Sequence, residues 1–297
     1  MILVTGAGGF VGRHLLIRLA EERRPLRAMV RDLNSAQIPH DAEVVEADLT
    51  RPGTLPAAVE GVEVVVHCAA VTADQREQRG GHYEEVNHRG TENLVEAARK
   101  ADVRRLVLMS GLGTFEAPEG TYMATRWGME DAVRSSGIPH VILQPSVLFG
   151  DGAPFVAALA GLVRRAPVVP LLGSEVRFQP LWIEDLTRCL LRAVEDGGLT
   201  GRSYPLGGSD QLTMRELMRT IAGRLGRRRW LLPVPVGPAR LPAAVMAATL
   251  RRPPLTPATL ELFGFDNVTD LDAVQRHFGF RPRGFREYVA EHGLGLA

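Results

Sequence analysis

The run Thr5-Gly6-Ala7-Gly8-Gly9-Phe10-Val11-Gly12 constrains this chain more than any other stretch. It follows an apolar segment of strand length, Ile2 to Thr5, and opens a segment of helical period. Glycine is needed where a backbone turns tightly, where a ligand approaches it closely and where a helix packs on a strand. Strand, glycine loop and helix in that order turn backbone N–H groups at a positive helix end toward a crevice, where a dinucleotide pyrophosphate would sit. Gly6, Gly9, Phe10, Val11 and Gly12 are therefore the first expected cofactor contacts. A tight turn with no ligand is the competing reading.

Strand-length apolar runs near 1–5, 26–30, 43–46, 62–67, 105–110 and 139–144 alternate with helical segments such as Val11, Leu15, Leu16 and Leu19, or Val86 to Ala101. This alternation predicts βαβ units around a parallel sheet. The expected fold class is α/β, a Rossmann doubly wound parallel sheet with a smaller C-terminal capping region. Right-handed crossovers leave a ligand crevice at the carboxyl ends of the strands, where the strand order reverses. Residues 1–150 are expected to form the NAD(P)-binding core, completed by about 176–207. The proline-interrupted stretches 151–175 and 208–297 form the substrate or capping region.

Composition narrows the partners. Of 297 residues, 35 are basic and 34 acidic, a net charge of +1, so no overall field gathers nucleic acid. No apolar run reaches the roughly 20 residues of a membrane-spanning helix. The amino terminus lacks a signal-peptide pattern, so a cytoplasmic setting is expected, with Cys68 and Cys189 as reduced thiols. The eight histidines have no metal-ligand spacing, and no metal is expected. The basic residues are 34 arginines and the single Lys100, an arginine-for-lysine drift. Arg227, Arg228 and Arg229 form a basic run that reads as a solvated helix end or an anion site.

Past the second strand come Arg31 and Asp32, about 20 residues beyond the loop, where an adenosine ribose is read. A carboxylate there would hold the ribose hydroxyls of NAD, and a guanidinium would pair with a 2′-phosphate. Arg31 comes first, which favours NADP, with NAD as the alternative. Asp48 and Leu49, after the third strand, would contact adenine through a carboxylate and an apolar face; a helix-capping aspartate is the other reading.

The chain resembles an extended or atypical short-chain dehydrogenase/reductase of the epimerase/dehydratase type. It is most similar to the NAD(P)H-binding branch that includes the 39-kilodalton accessory subunit of respiratory complex I. The stretches that carry this are Thr5 to Gly12, Ala47-Asp48-Leu49, His67-Cys68-Ala69-Ala70, Val86-Asn87 with Gly90 to Leu94, Gln144-Pro145-Ser146 to Gly150, and Ile183-Glu184-Asp185. The resemblance implies that Ala69 and Ala70 line the ribose and pyrophosphate, that Asn87 supports the site from the following helix, and that Pro145 packs near the nicotinamide. Tyr122 and Arg126 match the family's tyrosine and lysine spacing, with arginine at the second position. A nearby cation favours the phenolate of a tyrosine, which could then exchange a proton with an alcohol. Arginine supplies that charge but cannot release a proton. The family serine falls at Gly111, so Ser110 or Thr114 is the expected substitute. For Tyr122 a half-buried helix tyrosine is the structural alternative. Glu184 and Asp185 read as helix caps, and His67 as the end of a buried strand.

The leading expectation is an NAD(P)-dependent oxidoreductase passing hydride to or from a carbonyl or secondary alcohol, quinone-like or sugar-like. Tyr122 would be acid/base, Arg126 the orienting cation and Ser110 the oxygen donor. The second is a non-catalytic NADPH-binding structural or sensor protein acting through a partner, with peripheral membrane or quinone contact through Leu241 to Leu250 and Arg251-Arg252; a buried capping helix is the alternative for that segment. The third is a nucleotide-sugar epimerase/dehydratase. A small-molecule substrate is expected in each enzyme case, its pocket shaped by Thr72 to Glu85 and the capping region.

Overall fold

A computed structural model describes residues 1–33, 38–75, 81–249 and 255–296. Residues 76–80 of the expected pocket loop, and Leu250, Arg251 and Arg252 of the apolar and basic segment, lie outside the described residues.

The strands β1 (Ile2–Thr5), β2 (Leu26–Val30), β3 (Glu43–Glu46), β4 (Val64–His67), β5 (Arg105–Met109) and β6 (His140–Pro145) form one sheet with a seventh strand, Arg202–Leu206. From the seventh strand inward, the order is Arg202–Leu206, β6, β5, β4, β1, β2, β3. The neighbouring pairs from β3 to β6 run parallel, as strands joined by crossover helices must. Winding thus changes direction at β1 and β4. Their carboxyl ends carry Gly6 and Cys68, so the crevice opens between the loops that follow them. This is the Rossmann arrangement expected for the α/β chain.

Four helices matter here: α1 (Phe10–Glu21), α2 (Leu55–Val59), α3 (Gly90–Lys100) and α4 (Tyr122–Arg134). Leu3, Val65, Leu106, Leu108 and Ile142 of the strands form one core with Leu94 and Ala98 of α3 and Met129 and Val133 of α4. Leu15, Leu16 and Leu19 of α1 are buried outside that cluster, as a sheet covered on both faces requires. Each is worth about 1.5–3 kcal/mol relative to exposure. A single wide turn, Glu84–Arg89, with π-helical bonding precedes α3 within the expected Val86 to Ala101 helix. Such turns are rare and tend to accompany functional sites.

The chain divides into two compact units. The first is Met1–Val71, Gln78–Gln144 and Thr187–Tyr204, and the second is Thr72–Glu77, Pro145–Leu186 and Pro205–Ala297. Compared with the expected core of 1–150 completed by about 176–207, the first unit stops at Gln144 and takes back Thr187–Tyr204. Arg105 at the start of β5 fastens that returning segment: its guanidinium donates to the carbonyls of Ala193 and Asp196, both at 2.9 Å, and to Thr200 Oγ1 at 2.6 Å.

In the second unit, Val168–Leu172 pairs in parallel with Trp230–Val234, and Phe149 packs edge-on against Phe285. Arg228 and Arg229 of the basic run line a cavity of about 320 Å³ with Arg215, Arg219, Trp230 and Leu231. The helix Val236–Thr249 buries Ala239 and Ala243 on Leu260, while Leu241 is 74% and Val245 53% exposed. A fully buried capping helix is therefore not what forms there. Among the described residues no helix is long and apolar enough to cross a membrane.

Candidate functional site

The glycine loop is held by geometry that only glycine satisfies. Gly6 has φ +67°, and a Cβ there would stand 2.7 Å from the backbone N of Ala69, so the β1 and β4 loops touch at this point. A Cβ on Gly12 would lie 2.2 Å from the Gly6 carbonyl oxygen, which packs the first turn of α1 directly on the loop. Gly9 caps α1 without a side-chain acceptor, and the first turn holds no acidic residue. Gly8 and Gly9 are exposed and Phe10 half-buried, and the first-turn N–H groups of α1 have no intrahelical acceptor. Val11 and Gly12 are buried behind them. This bare, positive helix end fits a pyrophosphate.

Behind the loop runs a buried chain of hydrogen bonds. Ala69 N–H donates to Thr5 Oγ1 at 3.3 Å, Thr5 Oγ1 meets His67 Nδ1 at 2.7 Å, and His67 Nε2 meets Thr91 Oγ1 at 3.0 Å. Thr91 donates its only proton to the Asn87 carbonyl, so it accepts from His67 Nε2–H, and Nδ1 accepts from Thr5. The imidazole is thus neutral, and burial pushes its pKa down to about 4. His67 ends a buried strand and has a structural task. Asn87, fully buried, accepts from Val71 N–H at 2.7 Å and donates to Val71 O at 3.0 Å. It pins the segment carrying Ala69 and Ala70, both half-buried at the crevice end of β4.

Arg31 follows β2 and is exposed, with no hydrogen bond or ion pair among the described residues. Asp48 uses Oδ1 on Thr50 N–H and Thr50 Oγ1, both at 2.9 Å, a capping turn. Leu49 is buried, so close to α3 that a Cβ on Gly90 would stand 2.9 Å from the Leu49 Cβ.

Thr121 caps α4 by accepting from Ala124 N–H at 3.1 Å, which makes Tyr122 the first helical residue and places Arg126 one turn on. Both are 8% exposed; the Arg126 guanidinium carbon lies 6.0 Å from the Tyr122 ring centroid, and Tyr83 packs edge-on against that ring. Burial lowers the Arg126 pKa, opposed by the charges of Tyr122 and Glu130. Ser110 departs from expectation: its hydroxyl donates to Glu130 Oε1 at 2.5 Å, and Thr114 Oγ1 donates to the Gly111 carbonyl at 2.8 Å. Glu130, completely buried, also accepts from Gln144 Nε2 at 2.8 Å and from Arg134. Ser110 thus spends its proton on a β5–α4–β6 tie rather than presenting it to a substrate oxygen. Sequence reasoning passed over Glu130. Its spacing was a usable signal, since it continues the Tyr122, Arg126 series at intervals of four along one helix face. Pro145 closes β6, buried, as the first residue of that stretch of the second unit.

A parallel sheet reversing at a glycine loop, with a tyrosine and a cation one turn apart on the helix after β5, defines a dinucleotide-binding protein of the extended short-chain dehydrogenase type. The chain belongs to the NAD(P)H-binding family, whose model matches residues 6–159. It is 31% identical to a ceramide reductase of Caulobacter vibrioides over 79% of this chain and 74% of that protein. It is 27% identical to an NAD(P)H azoreductase of Xenophilus azovorans over 100% of this chain and 99% of that one. Its fold matches a dTDP-glucose 4,6-dehydratase double mutant from Streptomyces venezuelae, solved with NAD bound, with a TM-score of 0.74 at 20% identity over 98% of this chain and 97% of that one.

Proposed function

We propose that this chain is an NADPH-dependent reductase of carbonyl compounds, quinone-like acceptors included. The observation that carries this is the pair Tyr122 and Arg126, both buried on one face of α4, with the guanidinium making no hydrogen bond among the described residues. When bound, NADPH supplies the hydride. Tyr122 gives its phenolic proton to the substrate oxygen as the carbonyl carbon is reduced, leaving an alcohol and a phenolate. Arg126 stabilises that phenolate by its charge and, having no proton to release, leaves the tyrosine to be reprotonated from water. Gly6, Gly9, Phe10, Val11 and Gly12 cradle the pyrophosphate, and Ala69 and Ala70 line the ribose side. Asn87 holds the ribose-side segment in place.

Exposed, and without a hydrogen bond or ion pair among the described residues, Arg31 supports NADPH over NADH, because a guanidinium there would pair with a 2′-phosphate. Reductases among the relatives support the reaction class. A second reading, NADPH binding without turnover, is favoured by the absence of a side chain at Gly111 and the engagement of Ser110 by Glu130. Turnover of NADPH against quinones, aldehydes, ketones and nucleotide sugars separates the two. Oxidation with at least one carbonyl acceptor is expected, and tight binding with no oxidation by any of them overturns the reductase reading.

A further inference from the structure

Of the series Tyr122, Arg126 and Glu130 on α4, Arg126 has a polar head without an acceptor among the described residues. It is 8% exposed, and among the described residues its guanidinium makes no hydrogen bond or ion pair. A buried guanidinium carries five donors and a charge it cannot shed, so leaving it without acceptors is costly. Glu130, one turn further along, is already taken by Ser110, Gln144 and Arg134.

The guanidinium lies directly against the backbone of Gly111. A Cβ built on Gly111 would stand 2.1 Å from Arg126 Nη2 and 2.9 Å from Cζ. Gly111 is not among the glycines with positive φ, so its backbone would accept any residue. The guanidinium itself excludes a side chain there.

We infer that Gly111 and Arg126 form one device, in which the bare backbone at 111 seats the guanidinium and its unsatisfied N–H groups donate to ligand oxygens, the reacting carbonyl oxygen included. The glycine at the position of the family serine and the arginine at the position of the family lysine are then a single coupled change. Arg126 bonds the oxygens; Gly111 is a positioning residue. A planar fork bonds two oxygens at once, which suits a carbonyl flanked by a second acceptor, as in an ortho-quinone or 1,2-diketone. The reacting-oxygen part rests on the reductase reading above.

The clash at 111 falls on the end of a flexible side chain, so Gly111→Ala should fold normally and act by displacing the guanidinium. The test is a cycle of Gly111→Ala, Arg126→Lys and the double variant. It is read in kcat for NADPH-dependent reduction of 9,10-phenanthrenequinone, in NADPH affinity by tryptophan fluorescence, and in melting temperature. Gly111→Ala is expected to lower kcat about tenfold, or to weaken NADPH at least threefold in a chain that turns over nothing, with an unchanged melting temperature. In the Arg126→Lys background, where the side chain ends without a fork, the same substitution should have no effect. Wild-type kcat and affinity in Gly111→Ala, or an equal loss in both backgrounds, overturns the inference. A chain that binds NADPH and reduces nothing removes the reductase reading alone, because the affinity arm is still read.

Discussion

Asn87 and Val71 bond each other twice, the amide side chain taking the Val71 N–H at 2.7 Å and giving to its carbonyl at 3.0 Å. A residue of the π-helical turn thereby fixes the backbone of the crevice segment from sixteen positions away. Replacing Asn87 by Leu leaves both backbone groups of buried Val71 unpaired, at about 1–3 kcal/mol for each such group. Urea denaturation should report a loss of about 2–6 kcal/mol on that basis, accompanied by weaker NADPH binding. Unchanged affinity in a destabilised but folded variant would show that the segment does not serve the cofactor.

The loop should tolerate change at Gly9 far better than at Gly12, as far as folding is concerned. Gly12→Ala drives a methyl to 2.2 Å from the Gly6 carbonyl, backbone against backbone, and should destabilise by about 1–3 kcal/mol or more. Gly9→Val meets only the Gly6 oxygen, at 3.1 Å for its Cβ, so the protein should fold while the branched side chain blocks the pyrophosphate. Wild-type cofactor titration of Gly9→Val would reduce the loop to a mere turn.

Cofactor choice turns on Arg31. Arg31→Ala should weaken NADPH by about 1–3 kcal/mol, the range for lost charge-assisted bonds, with NADH affected little. Equal losses for both, measured by fluorescence titration, would remove Arg31 from the ribose site.

At the reacting end, Tyr122→Phe should cut turnover about a hundred- to ten-thousand-fold with NADPH affinity nearly unchanged, the range for losing a general acid. Arg126→Lys keeps the charge near the phenol but gives up the fork, so it should lower turnover far less than Tyr122→Phe does. Steady-state kinetics with one accepted carbonyl substrate checks both, and a Tyr122→Phe enzyme as fast as wild type ends the assignment.

His67 sets a pH dependence. Its folded pKa of about 4 lies below the ordinary histidine value of 6.5, so between these values the unfolded chain binds a proton that the folded one refuses. Stability contributed by the neutral imidazole is complete above about pH 6.5 and declines as pH falls toward 4, by about 3 kcal/mol in all. Urea denaturation at pH 7 and pH 4.5 should show a larger drop in wild type than in His67→Asn. Identical drops would mean that the imidazole titrates freely in the fold.

Six strands of the sheet, the glycine loop and the helix carrying Tyr122 and Arg126 are legible in the sequence because their signals are local. Apolar runs of strand length, glycines at a strand-to-helix turn and a spacing of four residues need no distant partner to be read. The polar assignments behaved differently. Ser110 looked like an oxygen donor until the fold brought Glu130 and Gln144 to it across three elements. Asp48 fitted adenine and capping equally well, and Thr50 took one of its oxygens. Gly111 looked like a missing serine, and only packing put the Arg126 guanidinium where that side chain would have been. The exposed face of Val236–Thr249, with Leu241 and Val245 outward, was equally unreadable from an apolar run interrupted by proline. A buried polar group takes its meaning from its hydrogen-bond partner, and the partner of Ser110 lies 20 positions along the chain, where only tertiary structure can supply it.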